Sequence, residues 1–109
     1  MAMKKPIRIT VDPISSLGYV KYSEEKRTSW IPIYREPDGS VEECGSEDGH
    51  WGEPTPVMVE FDDRDEIVAI EILSIDAADL VSIARDYARD NDLEFPDDLR
   101  AAAARDPAA

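Results

Sequence analysis

The sequence predicts an α+β fold, in which a mostly antiparallel β-sheet of about five strands carries one or two C-terminal helices on one face. Three observations lead to this class. The chain has 109 residues, which is the usual length of one domain. Short segments in which apolar and polar residues alternate come first, and apolar residues at helical spacing come last. Strands that precede helices along the chain are typical of α+β domains.

We therefore treat residues 1–109 as a single domain without internal repeats. The sheet is expected over residues 6–75, interrupted by an acidic loop over residues 36–54. The C-terminal helices are expected over residues 76–105.

The first two strands are predicted to form a hairpin. Apolar residues alternate with polar ones over residues 6–12 and recur over residues 17–22, which is typical of half-buried strands. Asp12 is assigned a structural role, because its side chain can close a local turn together with Pro13.

A third strand is predicted over residues 29–34. Pro32 cannot donate a hydrogen bond to a neighbouring strand, so this segment is expected at a sheet edge or a bulge. Alternation places Trp30 and Tyr34 on one face. An exposed edge here can pair with a second copy of the chain, although the proline weakens such pairing.

Two further strands are predicted over residues 56–61 and 67–73, joined by five consecutive charged residues. The second of them has apolar residues on both faces, so we expect it to be central or covered on both sides. Glu71 lies inside this apolar run, and an unpaired buried carboxylate is costly. We assign Glu71 a structural role and expect an ion pair with Arg8 or Lys21.

A helix is predicted over residues 74–92. Asp76 suits the N-cap, and Asp79 lies in the first turn, where a negative charge is favourable. One apolar stripe at i, i+3, i+4 spacing comprises Ala77, Leu80, Val81, Ala84, Tyr87 and Ala88.

A shorter helix is predicted over residues 94–107. Pro96 fits its first helical position, and two aspartates follow in the first turn. Phe95 and Leu99 are expected to fix this helix to the body of the domain.

Charge is distributed unevenly along the chain, whose net charge is -13. Residues 1–35 carry seven Lys or Arg against three acids, and residues 36–109 carry five Arg against 22 acids. The negative electrostatic field of this chain repels phosphates, so we expect no direct nucleic-acid binding. We expect a basic protein as the partner. High net charge also keeps a protein soluble without any partner, and that alternative stays open.

The sequence favours a cytoplasmic protein without a membrane partner. No apolar run approaches the ~20 residues of a membrane span. The start, "MAMKKPIRIT", has lysines but no apolar segment of the kind found in secretory signals. The single cysteine, Cys44, allows no internal disulfide and is compatible with a reducing compartment.

Residues 36–54 differ from their surroundings, because glycine, proline and acids dominate and Lys and Arg are absent. We predict a long exposed loop, and loops of this length are often functional. An indole gains by docking on a protein surface, so a tryptophan in the loop can serve as an anchor. The candidate partner-binding residues are Glu42, Glu43, Glu47, Asp48 and Trp51.

Known catalytic patterns are missing from the sequence. Cys44 and His50 are the only residues of their kinds, and their glycine-rich loop does not fix a catalytic geometry. The acids of the loop match neither calcium nor zinc ligand spacing. No phosphate-binding glycine loop, nucleophile elbow or dinucleotide fingerprint occurs. We therefore predict no enzyme activity, no cofactor and no metal site.

Two segments, "ITVDPISSLGYVKY" at residues 9–22 and "VMVEFDDRDEIVAIEILSID" at residues 57–76, resemble a family of short uncharacterised prokaryotic domains. Its members open with a hairpin containing Asp-Pro and Leu-x-Tyr, and close with a V-x-V-x-x-D…V-x-I-E-I-L hairpin before a short helix. The matching residues are Asp12, Pro13, Leu17, Tyr19, Asp62, Asp63, Val68, Ile70, Glu71, Ile72 and Leu73. Ser16 and Ala69 depart from the pattern, and the middle segment is longer. The resemblance implies a prokaryotic or bacteriophage protein with an antitoxin-like or regulatory role.

Together these features predict a small, acidic, non-enzymatic protein-binding or regulatory module. One alternative is a DNA mimic that inhibits a nucleic-acid-binding protein through a phosphate-like array on the helices. Its acids would be Asp79, Asp86, Asp90, Asp97 and Asp98, interrupted by Arg85 and Arg89. A further alternative is a structural subunit of a larger assembly. Salt-sensitive binding would favour the charge-based functions, and salt-insensitive binding an apolar interface.

Overall fold

The computed structural model describes residues 3–43 and 56–105, which form six strands and two helices. These elements are β1 (Arg8–Val11), β2 (Gly18–Lys21), β3 (Ser29–Arg35), β4 (Val41–Glu43), β5 (Val57–Phe61), β6 (Ile67–Ile72), α1 (Ala78–Asp90) and α2 (Leu99–Arg105). The strands form one antiparallel sheet in the order β1-β2-β6-β5-β3-β4. The predicted α+β class is confirmed, with six strands instead of about five.

The sheet is assembled from three hairpins, β1–β2, β3–β4 and β5–β6. The β5–β6 hairpin is inserted between β2 and β3, because β2 pairs with β6 and β3 pairs with β5. The chain between β2 and β3 therefore crosses the end of that hairpin, where Thr28 N donates to the carbonyl of Phe61 at 2.8 Å. The central position of β6 explains its apolar residues on both faces.

The hydrophobic core lies between one face of the sheet and the two helices. The largest fully buried side chains of the sheet on this face are Val20, Tyr22, Ile33, Val57, Val59, Ile70 and Ile72. The core is closed from the other side by Ala84 and Ala88 of α1, by Leu99 of α2 and by Phe95, which precedes α2. Phe95 and Leu99, the two residues predicted to fix α2, therefore both pack against the core. Burial of each large aliphatic side chain stabilises the fold by roughly 1.5–3 kcal/mol.

The turn between β1 and β2 is closed by Asp12. Its Oδ1 accepts hydrogen bonds from the backbone N–H groups of Ile14 at 2.8 Å and Ser15 at 3.0 Å. These backbone bonds hold the pKa of the Asp12 carboxyl below its ordinary value. Ser16 follows in a left-handed conformation with φ of 65°.

Strand β4 lies within residues 36–54, where the sequence analysis predicts only a loop. A tight turn returns the chain to β3: Gly39 N donates to the carbonyl of Glu36 at 2.9 Å, and Gly39 has a φ of 93° that suits glycine. Asp38 Oδ1 accepts from Ser40 N at 2.9 Å and fixes the turn. The prediction of a loop is therefore wrong for the first part of this segment.

Pro32 lies where β3 changes its pairing partner. Residues 29–32 pair with β5, and residues 33–35 pair with β4. Strand β3 is not the outermost strand at residues 33–35, where β4 lies beyond it, but no described strand pairs with the outer side of Pro32, as expected for an edge position. A proline is tolerated at this junction because neither the pairing with β5 nor the pairing with β4 depends on its missing N–H.

Helix α1 does not use Asp76 as its N-cap. The N-cap residue is Ala77, which makes no side-chain cap hydrogen bond. Asp76 instead accepts from Ser16 Oγ at 2.7 Å and from Arg100 Nη2 at 2.8 Å. The predicted cap is wrong because this carboxylate ties the β1–β2 turn to α2.

The C-terminus of α1 is a Schellman motif. Leu93 N donates to the carbonyl of Ala88 at 2.8 Å, and Asp92 N donates to the carbonyl of Arg89 at 3.2 Å. Asp92 adopts a φ of 57° at the position where glycine is usual. The motif turns the chain back towards the sheet.

Helix α2 begins at Leu99, three residues after Pro96, which is predicted to be its first helical residue. Asp98 caps the helix, because its side chain accepts from Ala101 N at 3.0 Å and its carbonyl accepts from Ala102 N at 2.9 Å. Asp98, which is predicted to lie inside the first turn, therefore lies directly before the helix.

Candidate functional site

The candidate site is the face of the sheet opposite the core, which neither described helix contacts and which we call the helix-free face. It carries Arg8, Thr10, Tyr19, Lys21, Trp30, Pro32, Tyr34, Glu42, Met58, Glu60, Ala69, Glu71 and Leu73. Strand register aligns these residues in rows across the sheet. In one row, Ala69 on β6 lies between Lys21 on β2 and Glu60 on β5.

Glu60 is the buried charge of the helix-free face, with only 5 % of its surface exposed. Its Oε1 accepts a hydrogen bond from the Tyr19 hydroxyl at 2.7 Å, and its Oε2 accepts from Arg27 Nη1 at 2.9 Å. The Tyr19 side chain must cross β6 to reach β5, and the small, fully buried Ala69 lies on that path. No sequence motif marks these residues as a site.

The raised pKa of Tyr19 follows from this arrangement. Burial is the largest cause, and the hydrogen bond and negative charge of Glu60 add to it. The hydroxyl therefore keeps its proton and remains a donor to Glu60.

Glu71 does not form the predicted ion pair with Arg8 or Lys21. Lys21 lies opposite Ala69, and its Nζ is 3.2 Å from Glu24 Oε2. Glu71 lies opposite Tyr19 on β2 and Met58 on β5, and no ion pair joins it to any described residue. Lys21 thus pairs with Glu24 of its own turn, and Tyr19 is the residue directly opposite Glu71.

Glu71 instead has an environment that disfavours its charged form. Burial raises the pKa of its carboxyl, and the neighbouring Glu60 carboxylate raises it further, while Arg27 acts in the opposite direction. A cation that reached Glu71 would relieve this repulsion.

Apolar and aromatic side chains surround these carboxylates. Trp30 is 37 %, Tyr34 39 % and Leu73 45 % exposed, and Met58 is half-buried. Trp30 and Tyr34 share this face, as predicted from their alternation. These side chains form one patch and are not scattered over the surface. Three neighbouring strands supply it, with Tyr34 on β3, Met58 on β5 and Leu73 directly after β6.

The five predicted partner-binding residues do not form one described surface. Glu42 and Glu43 follow each other on β4, so they point to opposite faces of the sheet. Glu42 lies opposite Tyr34 on the helix-free face, whereas Glu43 Oε2 accepts from the Tyr87 hydroxyl on the helix side at 2.7 Å. The other three, Glu47, Asp48 and Trp51, lie outside the described residues, together with Cys44 and His50.

The helix acids proposed for DNA mimicry do not form an uninterrupted array. Asp86 Oδ2 accepts from Arg35 Nη2 at 2.8 Å, and Arg35 also donates to Ser82 Oγ. Asp98 is engaged as the cap of α2. Two of the five negative charges are therefore already committed to contacts inside the chain.

Neither a membrane-spanning helix nor a metal-binding cluster occurs among the described residues. Neither α1 nor α2 combines the length and apolar character that crossing a lipid bilayer requires. Within residues 3–43 and 56–105, no three His, Cys, Asp or Glu side chains converge so as to hold a metal ion.

Comparison of the chain with protein-family models, with curated proteins and with solved structures gave no match. The resemblance to short prokaryotic domains therefore stays a prediction.

Proposed function

We propose that this protein is a non-enzymatic protein-binding or regulatory module, antitoxin-like in type, whose helix-free face contacts a basic partner protein. One observation supports this proposal above the others. A single face of the sheet combines exposed aromatic and aliphatic side chains with Glu71, a partly buried acid that forms no ion pair with any described residue.

The apolar part of the face has the composition of an interface. Aromatic residues and methionine are enriched where protein–protein contacts are most buried, and tryptophan and tyrosine often dominate the binding energy. Trp30 and Tyr34 on β3 and Met58 on the neighbouring β5 supply such groups, and the exposed Leu73 after β6 extends the apolar surface. Adjacent exposed apolar residues favour a docking surface, whereas single ones need no explanation.

The charged part of the face selects the partner. Glu71 and Glu42 are acids of this face, and the described ion pairs include neither of them. A lysine or arginine of the partner placed near Glu71 would offset the repulsion from Glu60. The net charge of -13 would accelerate the approach of a basic protein.

The compartment and origin belong to the same proposal. A single cysteine and the antitoxin-like resemblance support a cytoplasmic protein of a prokaryote or its virus. The engaged charges of Asp86 and Asp98 make the DNA-mimic alternative less favoured than the helix-free face.

The proposal is tested by affinity capture from a bacterial lysate at low salt, followed by Kd measurements with the purified partner. Leu73→Lys places a repulsive charge on the face, and Glu71→Gln removes the acid that would receive the partner's cation. Each should weaken binding by about tenfold.

Matched controls show whether an effect on binding depends on the position of the substitution or only on its chemistry. Ile14→Lys makes the same exchange at a 95 % exposed position in the β1–β2 turn, and Asp79→Asn removes one acid from α1. Both controls should bind as the wild type does. Equal affinity for all four variants would place the contact away from the helix-free face, and a Kd insensitive to salt would argue against a charge-selected partner.

A further inference from the structure

A second candidate surface lies on the helix side of the sheet. A cleft of about 640 Å³ opens between the β5–β6 hairpin and the C-terminal end of α1. Its volume falls within the ~300–1,000 Å³ typical of small-molecule sites. Phe61, Ile67 and Leu93 form an apolar floor, and all three belong to the core or pack against it.

The rim of this cleft is acidic. Glu43, Asp65 and Glu66 line it, and Lys4 is the only basic residue among the described lining residues. Asn91, the C-cap of α1, also lines the cleft, so the negative end of the helix dipole lies beside it. The rim therefore favours a cation over an anion or a neutral ligand.

Glu43 is held in place at the wall of the cleft. Its Oε2 accepts from the Tyr87 hydroxyl at 2.7 Å, and Tyr87 is anchored in the core. Burial, followed by the hydrogen bond to Glu43, raises the pKa of Tyr87, so its hydroxyl stays protonated and continues to donate. A carboxylate can accept about four hydrogen bonds, so this contact leaves capacity for a ligand.

We propose that the cleft binds an organic cation, an ammonium or guanidinium group carried on a short alkyl or aryl body. The cationic head lies against the acidic rim, and the apolar body lies on the floor formed by Phe61, Ile67 and Leu93. A bare metal ion would leave that floor unused, and an uncharged ligand would gain no charge attraction from the acidic rim. The cleft and the helix-free face are on opposite sides of the sheet, so this proposal does not depend on the proposed protein partner.

The test is a titration of the ¹⁵N-labelled full chain with n-butylguanidinium, read from backbone amide shifts. Saturable shifts should concentrate at Phe61, Ile67 and Leu93, and the uncharged analogue n-butylurea should bind at least about fivefold more weakly. A blocked peptide, acetyl-Gly-Arg-Gly-amide, distinguishes the two sources of such a cation. Tighter binding of the peptide would identify an arginine side chain of a protein, and tighter binding of butylguanidinium a free amine or guanidine.

Isosteric variants test the role of the rim. Glu43→Gln keeps an acceptor for the Tyr87 hydroxyl, and the double variant Asp65→Asn/Glu66→Gln removes two charges from the hairpin. Each should weaken n-butylguanidinium binding by about fivefold. Asp63→Asn, in the same turn but outside the lining, should leave it unchanged.

Three results would overturn the proposal. The first is the absence of saturable shifts in the cleft with n-butylguanidinium while the spectrum shows a folded chain. The second is equal binding of n-butylguanidinium and n-butylurea, and the third is equal binding by the rim variants and the Asp63 control. In the last two cases charge would have no part in recognition.

Discussion

Replacement of Arg27 by alanine should destabilise the fold, because it leaves the Glu60 carboxylate buried without its cation. The Glu60 side chain is 6 % exposed and Arg27 is half exposed, and their charged atoms are 2.9 Å apart. Breaking a fully buried pair costs about 3–5 kcal/mol. Because Arg27 is partly in water, we expect the lower range found for hydrogen bonds to charged groups, about 1.5–3 kcal/mol.

Urea denaturation followed by circular dichroism would measure this loss as a lower midpoint with an unchanged m-value. The double variant Arg27→Ala/Glu60→Gln should recover much of it, since Gln carries no charge and still accepts from Tyr19. Arg64→Ala is the control: Arg64 is 3.8 Å from the buried Asp62 and 3.9 Å from Glu66, and Asp62 keeps its hydrogen bonds from two backbone N–H groups, so we expect a change within about 0.5 kcal/mol. A double variant no more stable than Arg27→Ala would refute the reasoning.

Three other predictions concern stability. Gly18→Ala should cost about 1–3 kcal/mol in chemical denaturation, because the new Cβ would lie 2.5 Å from Ile75 Cγ2; an unchanged midpoint would show that Ile75 moves freely. Tyr22→Phe removes a 2.6 Å hydrogen bond from the Tyr22 hydroxyl to the carbonyl of Glu94 and should cost about 0.5–1.5 kcal/mol in thermal unfolding, and a Tm equal to that of the wild type would contradict this expectation. Burial and a neighbouring carboxylate raise the folded-state pKa of Glu71 above 4.5, so its contribution to stability is complete below that pH and is lost as the pH rises through the folded pKa. Glu71→Gln should thus exceed the wild type in stability at pH 7, by at most about 1 kcal/mol for a partly exposed group. Urea titrations should show no gain in stability for Glu71→Gln well below pH 4.5. A gain that occurs only at low pH would contradict the predicted direction of the pH dependence.

The strands with clear alternation could be predicted from the sequence, and β4 could not. Residues 36–54 are so rich in acids and glycine that composition favours a loop over the whole segment. The signal for β4 was local: Pro37, Asp38 and Gly39 are the residues of a tight turn, and a turn after β3 brings the chain back beside it. Val41 is the only apolar residue of β4, so alternation could not reveal so short a strand.

Competition between distant residues explains the wrong N-cap of α1. Asp76 fits the local pattern of a cap, but Ser16 and Arg100 approach it from the β1–β2 turn and from α2. A local pattern contains no information about such partners. The same reason applies to Asp92, which occupies a left-handed position at the end of α1 without the glycine that would mark it.

The candidate site could be predicted only in part. Alternation correctly places Trp30 and Tyr34 on one face, because it follows from the geometry of a strand. The partners of Glu60 depend on the insertion of β5–β6 between β2 and β3, which brings Tyr19 and Arg27 to it. Strand order of this kind is a property of the whole fold and cannot be predicted from a short segment of the sequence.

The most direct test of the proposed function is hydrogen–deuterium exchange of the full chain, free and bound to its purified partner. The account predicts that protection on binding concentrates in the strands of the helix-free face, around Trp30, Met58, Glu71 and Leu73. Protection confined to α1 and α2, with these strands unchanged, would contradict it and move the function to the opposite side of the sheet.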